Sequence, residues 1–456
     1  MVYAADRSIQ MPYRDNLQSL IHEPTFERAI GNQKMLDSFQ YIVKAGNITV
    51  HGKTRISPKD AMFDLKLLFV FIQWIDYSYG KWYEKRVFDP KQVPCVQQAL
   101  SRKEVQAKED AAKQELAKEL SAKTERIQEL ERQLEESRAA LSVQKAPRPP
   151  MPDSEMDISE YETRQRFIDL DLRLAGWDVD SEAEVVKERK VTGMEDHEGQ
   201  VGYVDYYLKG RDGKPLAIIE AKRTSYDPKK GLEQSRQYAK CLEREFGYRP
   251  LIFLSNGYAT EFVDDENGPS RPVGGVFSQD DLQRIMNRRR EAIDPRTVPV
   301  NEKVAGRYYQ IEAIKAFCDN LWKGKRRGLL VMATGTGKTR VSAALTDVLM
   351  RARLVKNVLF LADRVELVKQ AKSAYGEYYP DWSLCNLCDN KHDVDARVVF
   401  STYQTMIGAI DTETASDGKP AFSPGHFDLI IVDEAHRSIF KKYKDIFDHF
   451  DALVVG

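Results

Sequence analysis

The stretch from Leu329 to Thr339 restricts the fold of this chain more than any other. The apolar run Leu329-Leu330-Val331-Met332 leads into Ala333-Thr334-Gly335-Thr336-Gly337-Lys338-Thr339, and a helix-forming sequence follows. A glycine-rich turn between a buried strand and a helix lets backbone N–H groups approach an anionic ligand, and the helix N-terminus adds a favourable dipole. Such a turn implies a parallel α/β layer. Lys338 is expected on the β- and γ-phosphates of a nucleoside triphosphate, and Thr339 on its Mg²⁺, with Thr334, Gly335, Thr336 and Gly337 forming the cradle. Met332 stands where the pattern usually has its first glycine.

A second motif follows downstream. Leu429-Ile430-Ile431-Val432 is a short apolar strand ending in Asp433-Glu434-Ala435-His436. An acidic pair at the tip of a strand beside a phosphate loop suits Mg²⁺ binding by Asp433 and polarisation of the attacking water by Glu434. From Arg307 onward apolar strands alternate with helices, with strands expected at 328–333, 357–362, 397–401 and 428–432. That alternation predicts a doubly wound parallel sheet over 306–456.

A different pattern occupies 156–287. A helix is expected over 159–175, ending near Gly176. Strands are expected at 201–208 and 215–221, a helix at 229–246 and a strand at 250–254. Asp212-Gly213 between two β segments signals a two-residue hairpin turn. With that turn Arg211 pairs with Lys214, and counting back places Asp205 opposite Glu220, with Lys222 on the face of Glu220. Two carboxylates about 4 Å apart repel by on the order of 4 kcal/mol at an effective dielectric of about 20. A divalent cation would relieve this, with the Ala221 carbonyl as a further ligand and Lys222 orienting or deprotonating water. Without metal, at least one of the two carboxyls should titrate high.

The remainder is less informative. Residues 1–99 read as a helical domain, with a helix apolar on most faces over Asp60–Tyr79; no catalytic part is expected for His51. Over 100–145, Leu120, Ile127, Leu134 and Leu141 recur every seven residues, with Leu116 and Leu130 at the complementary position, which predicts a coiled coil. Pro147, Pro149, Pro150 and Pro152 make 146–155 a stiff linker, and 288–305, with Arg288–Arg290 and Pro295–Pro299, reads as a second joint. Five cysteines give no disulfide framework. Cys385 and Cys388, with His392 nearby, are read as reduced thiols rather than a zinc site. No secretory signal is seen and the longest apolar run, Leu67–Ile75, is too short to span a bilayer, so a soluble cytoplasmic protein is expected. The net charge of -1 neither requires nor excludes a nucleic-acid partner.

The phosphate loop and the Asp-Glu-Ala-His box resemble motifs I and II of superfamily 2 helicases. Arg307-Tyr308-Tyr309-Gln310 is similar to that family's adenine-reading segment, which implies that Gln310 bonds the base edge. Leu361-Ala362-Asp363-Arg364 and Ser401-Thr402-Tyr403-Gln404-Thr405 stand where the family touches the DNA backbone, implying Arg364 and Thr402 as contacts. Asp205 with Glu220-Ala221-Lys222 resembles the PD-(D/E)xK nuclease pattern. Gln234 and Tyr238, four apart on one helical face, match the Q-x-x-x-Y element of RecB-like nucleases, and Glu162 stands where that family places another acid. A nuclease followed by a helicase lobe resembles the restriction (R) subunits of type I restriction-modification enzymes. The resemblance implies an α/β restriction-endonuclease-like domain and a first RecA-like lobe. A second lobe would follow, since the chain stops at Gly456. It further implies an ATP- and Mg²⁺-dependent endonuclease that translocates on double-stranded DNA. Its partners would be specificity and methyltransferase subunits, the latter using S-adenosylmethionine. Two other readings stay open: a stand-alone repair helicase-nuclease, and an ATP-switched scaffold with an inactive nuclease.

Overall fold

The computed structural model describes residues 2–93 and 164–456, except 7, 12–16, 22, 52–56, 81–82, 195–200, 223–226, 334, 390–392, 394, 412–420 and 436–442. The expected coiled coil and proline-rich linker, together with Glu162, Thr334, His392 and His436, lie outside the described residues. The chain divides into two compact units, residues 1–42 with 56–155 and residues 43–55 with 156–456.

The first unit is helical, as expected. Helix α1 is Pro24–Ile30, α2 is Gln33–His51 (its last turns belong to the second unit) and α3 is Pro58–Tyr79. Proline opens both α1 and α3, where its missing N–H costs nothing, and Ser57 caps α3 by accepting the Asp60 amide. Phe63, Leu67, Val70 and Trp74 recur at helical spacing and are buried; Phe63 meets Tyr41 edge-on, and Phe71, stacked on Trp74, meets Phe39, which in turn touches Phe26. The expectation that α3 is buried on most faces fails. Leu65, Leu68 and Ile72 lie on its other side and are exposed. Among the described residues, no helix is long and apolar enough to cross a membrane.

In the second unit the first sheet is mixed. A π-helical turn, Arg164–Ile168, runs into α4, Asp169–Leu174. Strands β1 (Val185–Thr192), β2 (Val201–Lys209), β3 (Pro215–Ala221), β4 (Leu251–Ser255), β5 (Thr260–Val263) and β6 (Arg271–Val273) lie side by side in chain order. All neighbours are antiparallel except β3 and β4, which are parallel and joined through a 3-10 turn, Pro228–Gly231, and helix α5, Leu232–Phe246. Helix α5 covers one face through Tyr238, Ala239 and Leu242 on Ile218, Ile252 and Leu254. Helices α4 and α6 (Gln279–Glu291) cover the other through Leu172, Leu282 and Ile285 on Ala217, Ile219 and Phe253. Strands β1, β5 and β6 were not expected. They are short or carry charged residues on one side, so their alternation is weak.

The β2–β3 hairpin reaches the expected pairing by another route. The turn is not a two-residue one. Gly210 accepts from Gly213 N–H and donates to the Lys214 carbonyl, with Gly213 at φ +77°. That is a type I turn closed by a left-handed glycine, which shifts the pairing by one residue. A bulge between Leu208 and Lys209 shifts it back, so Tyr206 pairs with Ile219 and the next positions along are Asp205 and Glu220.

The second sheet is parallel throughout, with α7 (Tyr308–Trp322) leading into it. Its strands are β7 (Arg327–Gly328), β8 (Val358–Ala362), β9 (Leu384–Asn386), β10 (Val398–Thr402), β11 (Leu429–Val432) and β12 (Leu453–Val455), in spatial order β7-β12-β11-β8-β10-β9. Helices α7, α8 (Lys338–Arg351) and α9 (Val365–Tyr378) pack on one face, and α10 (Tyr403–Asp411) and α11 (Lys444–His449) on the other. Doubly wound topology is thus as expected. The strand expected at 328–333 is not: only Arg327 and Gly328 pair in the sheet, while Leu329 and Val331 are exposed. The mixed α/β architecture joins these two sheets in one unit, and the expected joint at 288–305 is packed. Helix α6 runs on to Glu291, and Ile293 N–H donates to the Ala352 carbonyl at 3.0 Å.

Candidate active sites

The first site lies where β2 and β3 part. Beyond the Tyr206–Ile219 rung the strands no longer bond backbone to backbone. Instead, the Asp205 Oδ2 accepts the Ala221 amide at 2.7 Å. Its Oδ1 accepts from Arg164 Nη1 at 2.9 Å. Glu220 is buried on the α5 face, and its Oε1 accepts from Lys222 Nζ at 2.6 Å. The expected mutual repulsion of the two carboxylates is thus met by two side-chain cations. Lys222 was expected at the site. Arg164 was missed; its only signal was its place two residues after Glu162, on a segment already suspected of serving the site.

Two close approaches seat α5 over this centre. A Cβ on Gly231 would lie 2.8 Å from Glu220 Cγ and 3.1 Å from Lys222 Cε, so only glycine lets the helix start pack directly on the pair. Tyr238 is buried, its ring packed against Gly202, and its hydroxyl accepts from Gln234 Nε2. Burial pushes the Tyr238 phenol up, and the nearby Glu220 and Asp205 carboxylates add to that. Tyr238 is therefore a buried brace in this structure, and the half-buried Gln234 is tied to it. Among the described residues no group of three or more His, Cys, Asp or Glu could hold a metal, and those that could serve an ion here are the two carboxylates and backbone oxygens. All these donors are oxygen, which suits Mg²⁺.

The second site lies at the C-terminal ends of the parallel strands, where such sheets bind ligands. Gly337, at φ +90°, caps α8, and a Cβ there would lie 2.7 Å from Gln310 Nε2. Thr336 folds its hydroxyl back to the Ala333 carbonyl at 2.6 Å. Lys338 Nζ reaches Glu434 Oε1 at 3.3 Å across the mouth of the loop. Glu434 holds a left-handed φ of +57°, a conformation that costs a non-glycine residue free energy. Burial pushes the Asp433 carboxyl up, with the Glu434 charge adding to it. Thr339, Lys338, Asp433 and Glu434 line one cavity of about 210 Å³, floored by Phe360 and Ile431.

Other expected contacts fare differently. Gln310 is buried, with Nε2 on the Thr336 carbonyl at 2.9 Å and Oε1 on the Arg307 amide at 3.2 Å. In this structure it braces the loop rather than presenting to a base. Arg364 is exposed at the start of α9. Thr402 is buried, and its hydroxyl accepts the Thr405 amide at 3.2 Å, so it caps α10 and does not face outward. Cys385 and Cys388 are free thiols, and burial pushes the Cys385 thiol up.

Residues 184–271 match the model of a family described as type I restriction enzyme R protein N terminus (HSDR_N), which covers β1 to β5 and reaches the first residue of β6. Residues 303–456 match that of type III restriction enzyme, res subunit (ResIII), which covers the parallel sheet. The chain is 28% identical over 265 residues to the Type I restriction enzyme EcoAI endonuclease subunit of Escherichia coli, covering 54% of this chain and 32% of that one. It is 25% identical over 387 residues to the EcoKI endonuclease subunit of Escherichia coli strain K12, covering 66% and 32%. A solved fragment described as an HsdR subunit of a type I restriction enzyme from Vibrio vulnificus YJ016 is 23% identical, covers 66% of this chain and 55% of that one, and superposes with a TM-score of 0.26, too low to argue from. The chain spans about a third of the length of these curated relatives.

Proposed function

We propose that the chain is part of an endonuclease subunit of a type I restriction enzyme, to which it is similar over both sheets, and that it contributes an ATP-driven motor lobe and a DNA-cutting site to such an enzyme. The activity would be translocation on double-stranded DNA coupled to Mg²⁺-dependent endonucleolytic cleavage. One observation carries this reading: two chemically distinct sites follow one another in a single chain, and each family match falls on one of them, in the same order.

In the motor lobe, ATP would lie on the loop of residues 333–339. Lys338 would leave Glu434 for the β- and γ-phosphates, freeing Glu434 to orient the attacking water. Thr339 and Asp433 would hold the nucleotide's Mg²⁺. Gln310 would read the adenine only by releasing Thr336 or Arg307. Arg364, exposed at the start of α9, would meet the DNA backbone.

In the nuclease, Asp205, Glu220 and the Ala221 carbonyl would hold a second Mg²⁺. The fit is supported by oxygen donors and by the two cations already drawn to the carboxylates. When bound, magnesium supplies Lewis acidity and a more acidic water at neutral pH. Lys222 keeps Glu220 oriented and stands ready to exchange a proton with the attacking water. Gly231 and the Gln234–Tyr238 pair keep α5 closed over these groups. The proposed partners are a specificity subunit and a methyltransferase subunit using S-adenosylmethionine.

The test uses the assembled complex with those two subunits on unmethylated plasmid. Asp205→Ala should abolish cutting with ATP hydrolysis intact, whereas Lys338→Ala should abolish both, each by on the order of 100-fold or more. Cutting that survives Lys338→Ala would refute the coupling. Cutting that needs no methyltransferase complex would favour a stand-alone helicase-nuclease.

A further inference from the structure

We propose that Arg164 is a positioning residue that holds Asp205 while the nuclease centre is empty and passes it to a divalent cation on loading, staying on Glu188. The identity of that cation rests on the nuclease reading above; the exchange itself rests on the following geometry.

One nitrogen of Arg164, Nη1, serves two carboxylates. It lies 2.9 Å from Asp205 Oδ1 and 3.2 Å from Glu188 Oε1. The two acceptors differ in their surroundings. Asp205 is largely buried, with its side chain 13% exposed, whereas Glu188 is 68% exposed. Glu188 also sits directly across the strand pair from Asp205. The β1–β2 ladder runs Lys187–Tyr206 and then Arg189–Val204, skipping the pair between them, and Glu188 there adopts a left-handed φ of +54°. That conformation costs a non-glycine residue free energy and persists where the surroundings impose it, commonly at functional sites. It interrupts the ladder where the guanidinium meets both carboxylates.

The main chain beneath Arg164 is held. Its carbonyl accepts from the Tyr206 hydroxyl at 2.8 Å, which is shared with Asp169 Oδ1 at 2.9 Å, and Asp169 is itself paired with Lys187 at 2.8 Å. Only the guanidinium is left to swing. Asp205 is held in the same way. Its Oδ2 stays on the Ala221 amide at 2.7 Å, so release of Arg164 takes the guanidinium from Oδ1 without turning the carboxylate. A cation taking Oδ1 must displace a unit positive charge from that oxygen. Because Glu188 already touches the same nitrogen, the guanidinium needs to give up one contact and keep the other.

The exchange predicts that Arg164 competes with metal. The 456-residue chain is titrated calorimetrically with Ca²⁺ in the absence of DNA, so the readout is binding and not activity. Arg164→Gln should bind Ca²⁺ at least about tenfold more tightly than the wild type, because a like charge beside the ion is gone. Arg164→Lys, which keeps the charge but has no planar fork to span both carboxylates, should fall between them. Asp205→Asn should remove this heat in either background. Unchanged or weaker binding by a folded Arg164→Gln, checked by circular dichroism, overturns the exchange and leaves Arg164 a static brace. Should that variant not fold, Arg164→Lys decides, and binding no tighter than the wild type overturns the proposal. If Asp205→Asn leaves the wild-type isotherm unchanged, the metal reading of the nuclease centre fails instead.

Discussion

Asp433 is caught between two demands. Its place at the end of β11 buries it beside Glu434, and burial first, then that neighbouring charge, hold its carboxyl above the ordinary range. A carboxyl whose folded value lies above its unfolded one adds stability that is fully present below the unfolded value and is lost as pH rises through the folded one. Ionised Asp433 therefore costs the empty chain stability near neutral pH, and Asp433→Asn should melt above the wild type at about pH 8, with the gap closing toward about pH 4. A gap of equal size at both ends of that range in thermal melts would contradict this. On the proposed reading the same variant should also lose ATP hydrolysis, since an amide oxygen lacks the charge with which a carboxylate holds Mg²⁺. Lys338 and Glu434 meet the same problem by pairing with each other at 3.3 Å.

Among the elements, α5 decides whether the nuclease centre is assembled. Its start rests on Glu220 and Lys222 through Gly231, and its second turn presses Tyr238 onto Gly202 of β2. A Cβ on Gly202 would lie 2.4 Å from Tyr238 Cε1 and 2.9 Å from Met194 Sδ. The ring is buried and cannot step aside, so Gly202→Ala should cost about 1–3 kcal/mol, as overpacking of a core does. Urea denaturation measures this directly, and a midpoint equal to that of the wild type would mean that α5 is not seated as described. The β2–β3 hairpin carries a related lesson. The Asp-Gly signal marked the turn correctly, but the turn adopted was longer by one residue on one strand, and the bulge at Leu208–Lys209 compensated. Turn chemistry is local, whereas a bulge is set by how the two faces of the sheet must pack.

Across the second unit as a whole, the mixed and parallel sheets are joined by buried ion pairs rather than by a loose linker. Arg284 and Arg288 of α6 converge on Asp428 Oδ1, each at 3.2 Å, while Asp428 Oδ2 accepts the amides of Lys356 and Asn357 at 2.9 and 3.0 Å. Arg271 of β6 grips Asp451 through two bonds of 2.7 Å, and Arg326 adds a third at 2.8 Å. Burial pushes the Asp451 carboxyl up, but those guanidiniums outweigh it and leave it below the ordinary range. Asp428 immediately precedes β11 and Asp451 stands two residues before β12, so the mixed sheet is anchored to the base of the strand whose tip carries Asp433. Asp428→Ala would leave two arginines without their shared carboxylate and should cost about 3–5 kcal/mol. Calorimetry should show one transition in the wild type become lower or split in two. An unshifted single transition would mean that this junction carries no stability.

The sequence alone determined the chemistry that depends on local order. A phosphate loop needs its glycines, lysine and threonine in one run between strand and helix, and an acidic pair at a strand tip needs only that strand. Asp205, Glu220 and Lys222 were legible because strand periodicity and a turn signal bring their segments together, but the expected register was reached only because the bulge at Leu208–Lys209 offset the longer turn. Other features depended on tertiary structure. Arg164, 41 residues before Asp205, becomes its partner only when the π-helical turn packs beside β2. Gln310 and Thr402 carry the residue types of ligand contacts, yet packing turns both inward onto backbone. The strands at 185–192, 260–263 and 271–273 lack the apolar alternation that would announce them, and form because a neighbouring strand offers its backbone. The anchoring of the mixed sheet to the parallel one rests on arginine–aspartate pairs 140 to 180 residues apart, which no local pattern encodes, because a charge's partner is chosen by proximity after folding.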